Sequence, residues 1–570
     1  MKPETKTCQN CKQNFTIKTE DFSFYEKIKV PPPTLCFECR MKRKMAWRNE
    51  RTWHKRICDA TGKSILSIFN ANSPYKVYDQ VYWKSDAWDA LSYGRDYDFS
   101  RSFFEQFDEL MKATPHPNLI SRNSVNSDYA NYCTDARNCY FSWSFVVAED
   151  SAYLFGAVMD TKFSMDLHQC MKSEYCYNLI DCVKSYQLSF SQNCEGCVES
   201  AFLYDCKNCN NCIGCVGLRN QSYNIFNQQY TKENFFKKLK EIKINSRQGI
   251  KEISAKFEAL KLRVPRKFAY ITKSEYAIGD DILNAKNVYW GFYARNEVEN
   301  IRYSFRVWEN TRDVCDGIIV WDKSEICYEG LSISGQRVIG SSLIWGGFDI
   351  FYSYNCFACN NIFGCVGLRN KSYCIFNKQY SKDDYETITS KIIEAMRKSS
   401  EYGEFFPAKY SPFGYNESFA FEYFPITKSE AETDGFNWAE IEEKNHNFTI
   451  KNTELSDTID DVSESILKEA IECAHVGKCN HNCSVVFRIS NFELSFYKKF
   501  NIPLPELCPF CRHGERLAQK NPLKLWHRQC MCEKKHTHHS GACLNEFETS
   551  YAPNRSEVIY CEQCYQQEVY

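Results

Sequence analysis

Residues 211–230 read NCIGCVGLRNQSYNIFNQQY, and residues 361–380 read NIFGCVGLRNKSYCIFNKQY. The two stretches lie 150 residues apart and agree at 15 of 20 positions. Each closes a run of short aromatic and cysteine-bearing segments, and each leads into a helical pattern. An internal repeat of this kind fixes the architecture before any local reading does. Upstream of the first copy, Cys170, Cys182, Cys194 and Cys206 fall 12 residues apart. Short runs such as SYQLSFSQ and SAFLYD stand between Asn, Ser, Asp, Lys and Gly, the pattern of an all-β repeat. A regular 12-residue step predicts stacked coils of a β-solenoid, with two steps per coil as one arrangement. Equivalent positions then superpose, and a cysteine at each step becomes an internal column of small apolar side chains. The competing reading makes Cys206, Cys209, Cys212 and Cys215 ligands of zinc or an iron–sulfur cluster. The spacing departs from the ferredoxin run, and the second copy carries Ile362 in place of a fourth cysteine.

The composition bounds the rest. The chain has 570 residues, 43% hydrophobic and 25% charged, with a net charge of -1, so it is globular and any nucleic-acid site must be a local patch. Aromatics at 15% favour strands. The opening MKPETKTC has no signal-peptide core, and no run of 18 apolar residues follows. The expectation is a cytoplasmic protein whose 32 cysteines bind metal or pack, rather than form disulfides. The TGKS at residues 61–64 lacks the glycine-rich cradle of a phosphate-binding loop, which argues against nucleotide binding there.

The chain ends carry the metal signal. Cys8-x2-Cys11 and Cys36-x2-Cys39, separated by 24 residues, have the spacing of a zinc ribbon: two knuckles whose four thiolates close a tetrahedral site. Such a site has no open position for water, so its role is structural. The pattern returns as Cys479, Cys483, Cys508 and Cys511, with His481 able to replace one cysteine. SFYEK at Ser23 returns as SFYKK at Ser495, and WHKR at Trp53 as WHRQC at Trp526. A further site is expected from Cys530, Cys532, Cys561 and Cys564, with Cys543, His536, His538 and His539 competing for one place. YDQVYW at Tyr78 aligns with YCEQCY at Tyr560, so the N-terminal copy of that module has lost its cysteine pair. About three structural zinc ions are expected.

After the first ribbon, residues 40–56 read RMKRKMAWRNERTWHKR, with eight Lys or Arg and one acid. On a helix, Arg40, Lys42, Arg43, Lys44, Arg48 and Arg51 would form a positive face that grips phosphates, with Trp53 available for stacking. Arg512 and Arg516 keep a weaker version at the C-terminal ribbon. The bland alternative is a solvated helix whose tryptophans anchor it to the ribbon.

ELSFYKKFNIPLPELCPFCRHGERL, ETSYAPNRSEVIYCEQCYQQEVY and GCVGLRNKSYCIFNKQYS together resemble a family of uncharacterised multi-zinc-ribbon proteins from bacteria with reduced genomes. That resemblance implies zinc ribbons and brings no substrate.

The expected fold is mainly β: two repeated solenoid-like halves with helical caps, flanked by zinc ribbons. The segments are a ribbon with basic helix (1–60), a degenerate second ribbon and adaptor (61–128), repeat A (129–230), a helical cap (231–269), repeat B (270–380), a helix and acidic connector (381–470), a ribbon (471–528) and a C-terminal zinc module (529–570). The expected function is a non-catalytic zinc-binding scaffold that contacts nucleic acid or a nucleic-acid-bound complex. One rival is a protein–protein scaffold using the aromatic repeat face. The other is an enzyme, carbohydrate-acting or a nuclease, drawing on Asp280, Asp281, Asp316, Asp322, Glu325 and Glu329.

Overall fold

The computed structural model describes residues 2–440 and 447–569; residues 441–446 of the expected acidic connector lie outside them. The fold is rich in sheet. Strands between residues 121 and 229 form one parallel ladder, and strands between 271 and 379 form a second. In the first, Met165 pairs with Tyr177 and Tyr177 with Ser189, a step of 12, with one step of 13 at Ala152↔Met165. In the second the step is 12 at Ser342↔Tyr354 and Asn360↔Ser372, and 13 at Arg312↔Glu325. Hydrogen-bonded neighbours are therefore one step apart, which excludes the two-step arrangement.

A second period, of three, runs inside the first. Every third residue from Leu167 to Cys215 is 5% exposed or less, and the set is Leu, Cys and Ser only. The residue just before each buried one, from Asp166 to Gly214, adopts positive φ, with Arg219's segment continuing the turn pattern at Asn220 and Tyr223. A left-handed non-glycine residue costs about 1–2 kcal/mol, so a run of them survives only where neighbouring strands hold every corner. Asn and Asp tolerate this conformation best, and here their side chains also tie one step to the next. Asn126 donates to Asn138, Asn138 to Asp150, Asn208 to Asn220, and Asn300 to Asp313.

The inward residues are small because they must also satisfy the corners. Ser164 Oγ accepts from Cys176 N–H at 3.0 Å and donates to the Lys162 carbonyl at 2.7 Å. Ser191, Ser200 and Ser353 repeat the arrangement. The thiols of Cys170, Cys182, Cys194 and Cys206 point at the carbonyls of His168, Ile180, Gln192 and Tyr204, two residues back, at 3.3–3.5 Å. Burial pushes the Cys133 thiol up to about 11 and the Cys176 thiol up to about 12, which keeps the S–H available as a donor. Interior sulfur thus packs and hydrogen-bonds.

Each ladder is closed by an antiparallel turn of chain and a helix. Gln228–Gln229 folds back on Ser222–Ile225, and Lys378–Gln379 on Ser372–Ile375. Thr231 then caps helix Lys232–Glu241, and Ser381 caps helix Lys382–Lys398. Tyr223 meets Phe235 at 5.7 Å, and their counterparts Tyr373 and Tyr385 meet at 5.8 Å.

Four small antiparallel hairpins stand at the chain ends: Glu4–Thr7 with Asn14–Ile17, His54–Ile57 with Ser64–Ser67, Ile471–Glu472 with Val486–Phe487, and Trp526–Gln529 with Glu546–Thr549. Their docking is crossed. The N-terminal pair packs on the second ladder, where Phe37 meets Phe292 and Trp83 meets Phe357. The C-terminal pair packs on the first, where Phe496 meets Tyr177 and Tyr565 bonds Asp205.

Replacing Ser353 by Ala leaves the Cys365 N–H buried without a partner and should cost about 1–3 kcal/mol in denaturant unfolding, whereas Ser353→Cys, which restores a polar atom, should cost less.

Candidate metal centres

The four hairpins share one hydrogen bond that marks them as copies of a single ribbon. In each, the first cysteine of the turn accepts a backbone N–H from the segment that carries the second ligand pair. Cys36 N donates to Cys8 Sγ at 3.3 Å, Asp79 N to Cys58 Sγ at 3.2 Å, Cys508 N to Cys473 Sγ at 3.3 Å, and Cys561 N to Cys530 Sγ at 3.2 Å.

In the first hairpin, the sulfurs of Cys8, Cys11, Cys36 and Cys39 lie within 4.8 Å of one another, a group that can hold a metal ion. Cys11 and Cys36 are 3.6 Å apart. Hydrogen bonding from Cys36 brings the Cys39 thiol down to about 5, and bonding from Cys473 brings Cys483 down to about 6. Thiolate is the form that binds metal; Cys36 and Cys473, the partners in those hydrogen bonds, are raised in turn.

The third and fourth hairpins gather more ligands than the first. Cys473, Cys483, Cys508 and Cys511 form one group, and His475, Cys479, His481 and Cys511 another. Cys530, Cys543, Cys561 and Cys564 form a third, and Cys532, His536, His539 and Cys564 a fourth. The expected ligand sets are therefore regrouped. Cys479 sits with two histidines, and Cys473 takes the place beside Cys483. Cys532 likewise sits with histidines, and Cys543 takes the place beside Cys530. Cys473 and His475 had not been assigned from sequence, and His536 and His539 had stood only as competitors of Cys543 for one place. The short CNHNC motif drew attention away from the wider Cys473–Cys483 pair.

The second hairpin keeps Cys58 alone. Thr61, Asp79 and Tyr82 stand where the fourth hairpin has Cys543, Cys561 and Cys564. Aromatic packing holds this module instead: Phe69 stacks on His116 at 5.1 Å, and Tyr75 meets the same ring edge-on at 5.6 Å. His116 is fully buried, donates from Nε2 to the Met111 carbonyl at 2.7 Å, and is held by burial down to about 4.

The basic residues do not form a free face. Arg40 is 2% exposed and pairs with Asp316 at 2.7 Å; Lys44 is fully buried and pairs with Glu329 at 2.8 Å. Arg43 bridges Glu404 and Glu329, Arg48 pairs with Glu50 and lies over the Tyr132 ring, and Arg51 pairs with Glu422. Arg512 and Arg516 both reach Asp166, at 2.9 and 2.7 Å. Trp53 packs against Phe141 and Trp143, and Lys42 pairs with Glu38 within its own helix. The expectation of a phosphate-gripping face at Arg40, Lys42, Arg43, Lys44, Arg48, Arg51, Trp53, Arg512 and Arg516 is corrected accordingly: all but Lys42 and Trp53 are buried cations matched to carboxylates of the chain, and those two do not make a face. Burial raises Glu329, and Lys44 and Arg43 oppose that rise without cancelling it.

A cavity of about 410 Å3 between the ladders gathers Asp181, Asp205, Asp280 and Asp281. Each carboxylate has a partner within the chain: Lys520 for Asp181, Tyr565 for Asp205, Ser550 for Asp280 and Arg295 for Asp281.

No family model and no curated protein matches the chain. One solved structure that it matches is described as a "putative acetyltransferase from Desulfovibrio desulfuricans G20", at 10% identity over 47% of this chain and 71% of that one, with a TM-score of 0.10. A likeness that weak carries no argument about fold or activity. No helix among the described residues is long and apolar enough to cross a membrane.

His116 gives a pH signature. It is neutral in the fold, while the unfolded chain takes up a proton below its ordinary value of 6.5, so stability should fall as pH drops from 6.5 towards 4. The share lost is on the order of 3 kcal/mol. Denaturant unfolding of His116→Phe across this range should show a shallower fall than the wild type.

Proposed function

We propose that the protein is a non-catalytic, zinc-dependent scaffold in which two β-solenoid-like halves are clamped together by terminal zinc ribbons. Four three-residue sides per 12-residue coil would account for the two nested periods of each ladder. Zinc is the fitting metal for closed thiol-rich groups, since sulfur and imidazole ligands in tetrahedral sets suit it and no open position remains for substrate. The observation that carries the reading is the fate of the ribbons' cations: the helices at the first and third hairpins, Phe37–Met45 and Pro509–Ala518, place their cations on buried carboxylates of a ladder. A ribbon used this way is a clasp.

One observation keeps nucleic acid in view, at a different place. Lys232, Lys237, Lys238, Lys240 and Lys256 on the helices that close the first ladder, and Lys243 in the turn between them, are exposed, beyond the buried ribbon residues. A polyanion would meet these lysines first, and its binding would weaken steeply with salt.

Fluorescence anisotropy with labelled single-stranded RNA and DNA, alongside thermal unfolding, separates the roles. The Arg43→Ala/Arg48→Ala/Arg51→Ala variant should unfold far more easily, since each broken buried pair costs about 3–5 kcal/mol. The Lys237→Ala/Lys238→Ala/Lys240→Ala variant should keep its stability and lose any salt-dependent binding. An arginine variant with unchanged stability and weakened nucleic-acid binding would refute the clasp. Release of zinc by a chelator with no change in the unfolding midpoint would refute the metal-dependent part.

A further inference from the structure

The two C-terminal ribbons differ from the two N-terminal ones in the length of a single turn. The turns are residues 8–13 and 58–63 in the N-terminal hairpins, six residues each, against 473–485 and 530–545 in the C-terminal ones, thirteen and sixteen. The added residues are not filler. In the third hairpin they bring His475, Cys479 and His481, and in the fourth Cys532, His536, His538 and His539. Each insertion therefore supplies one cysteine and a pair of histidines that group with it, and in the fourth His538 Nε2 also lies 3.4 Å from Cys564 Sγ.

Three ligands do not complete a tetrahedral site. In each module the fourth comes from the ribbon's own set: Cys511 belongs to both groups of the third hairpin, and Cys564 to both groups of the fourth. We propose that each C-terminal ribbon binds two zinc ions bridged by one thiolate, Cys511 in the third hairpin and Cys564 in the fourth, through a shared set of five cysteines and two histidines. This deepens the zinc reading above and rests on it.

The distances suit the assignment. Two sulfurs on one tetrahedral zinc stand about 3.8 Å apart, given Zn–S bonds of about 2.3 Å. Cys511 Sγ is 3.6 Å from Cys479 Sγ, on the insertion side, and Cys483 Sγ is 4.0 Å from Cys508 Sγ on the ribbon side. In the fourth hairpin, His539 Nε2 is 3.2 Å from Cys564 Sγ and His536 Nε2 is 3.1 Å from Cys532 Sγ.

The histidines are oriented as ligands are. His539 donates from Nδ1 to the Gly541 carbonyl at 2.8 Å, which leaves the Nε2 lone pair facing the sulfur. His475 turns Nε2 towards Glu515 at 3.5 Å, and its buried Nδ1 has no hydrogen-bond partner, like that of His481. A second ring nitrogen tied to a carboxylate or carbonyl is the usual support of a zinc-bound histidine. Room for His481 is made by Gly514, where any side chain would meet the imidazole ring at 2.3 Å. Bridging also eases the electrostatics. Two zinc ions with five thiolates leave about −1 on the cluster, less than the charge of about −2 on a lone four-thiolate site.

Zinc bound to the purified full-length chain, measured by elemental analysis, tests this together with 113Cd NMR of the cadmium-exchanged protein. Five ions per chain are expected, one from the first hairpin and two from each C-terminal ribbon. Scalar coupling between cadmium resonances should report the shared sulfur. His475→Ala/His481→Ala should bind four ions and stay folded by circular dichroism, because the four-thiolate set beneath remains. Three ions per chain, unchanged by the histidine substitutions, would overturn the bridged assignment and leave the zinc reading intact. Five ions with no cadmium–cadmium coupling would overturn it equally. A chain with no bound zinc would sink the metal reading itself.

Discussion

Two aspartates, Asp166 and Asp316, lie 150 residues apart at equivalent corners of the two ladders, both in the left-handed conformation and both fully buried. A carboxylate in that position is costly unless cations meet it with good geometry. Arg40 and Lys44 meet Asp316, with Lys44 at the longer 4.0 Å, and Arg512 and Arg516 meet Asp166. The ribbon helix at each chain end is therefore required by a ladder, and not by the ladder nearest to it in sequence. The chain runs ribbons, ladder, ladder, ribbons, with each end docked on the farther ladder, so each half is completed by the far end of the chain.

The same equivalence extends outward from the aspartates. Asp21, in the first turn of one ribbon helix, accepts from Tyr303, while Glu493 in the corresponding turn of the other is bonded by Tyr153. Arg369 donates to the Lys84 and Ser85 carbonyls, and its counterpart Arg219 bonds Tyr565. The GCVGLRN stretch repeated in both halves is thus the platform on which the second hairpin of each pair sits. Sulfur has two roles in this plan. At the ends, thiols from separate segments converge into groups that can hold a metal ion; within the ladders they stand one per corner and bond to backbone carbonyls.

Part of this was legible in the sequence. The 150-residue repeat gave two equivalent β units, the 12-residue cysteine spacing gave the ladder step, and Ser381 marked a helix start. The three-residue period was not seen, because left-handed corners abolish the period-two alternation by which strands are ordinarily recognised. Leu, Cys and Ser at the buried positions also blur any hydropathy signal. The basic run at 40–56 was misjudged for a different reason: its acidic partners, Asp316, Glu329, Glu404 and Glu422, are more than 250 residues away, and a charge run shows its sign without showing its partner. The regrouped ligands share one cause. A fixed spacing finds Cys8 and Cys11, but Cys473 and Cys483 are the same knuckle opened by an insertion that carries ligands of its own.

In the proposed scaffold, metal, ribbon and ladder form one chain of dependence: closed thiol groups would hold the ribbons through their ions, and the ribbons hold the cations that make the buried aspartates tolerable. Amide hydrogen exchange read by mass spectrometry before and after chelation tests that dependence most directly. Loss of protection around Asp166 and Asp316, with the interior between residues 203 and 215 still protected, is the expected result. Unchanged exchange at both aspartates after complete metal removal would contradict it.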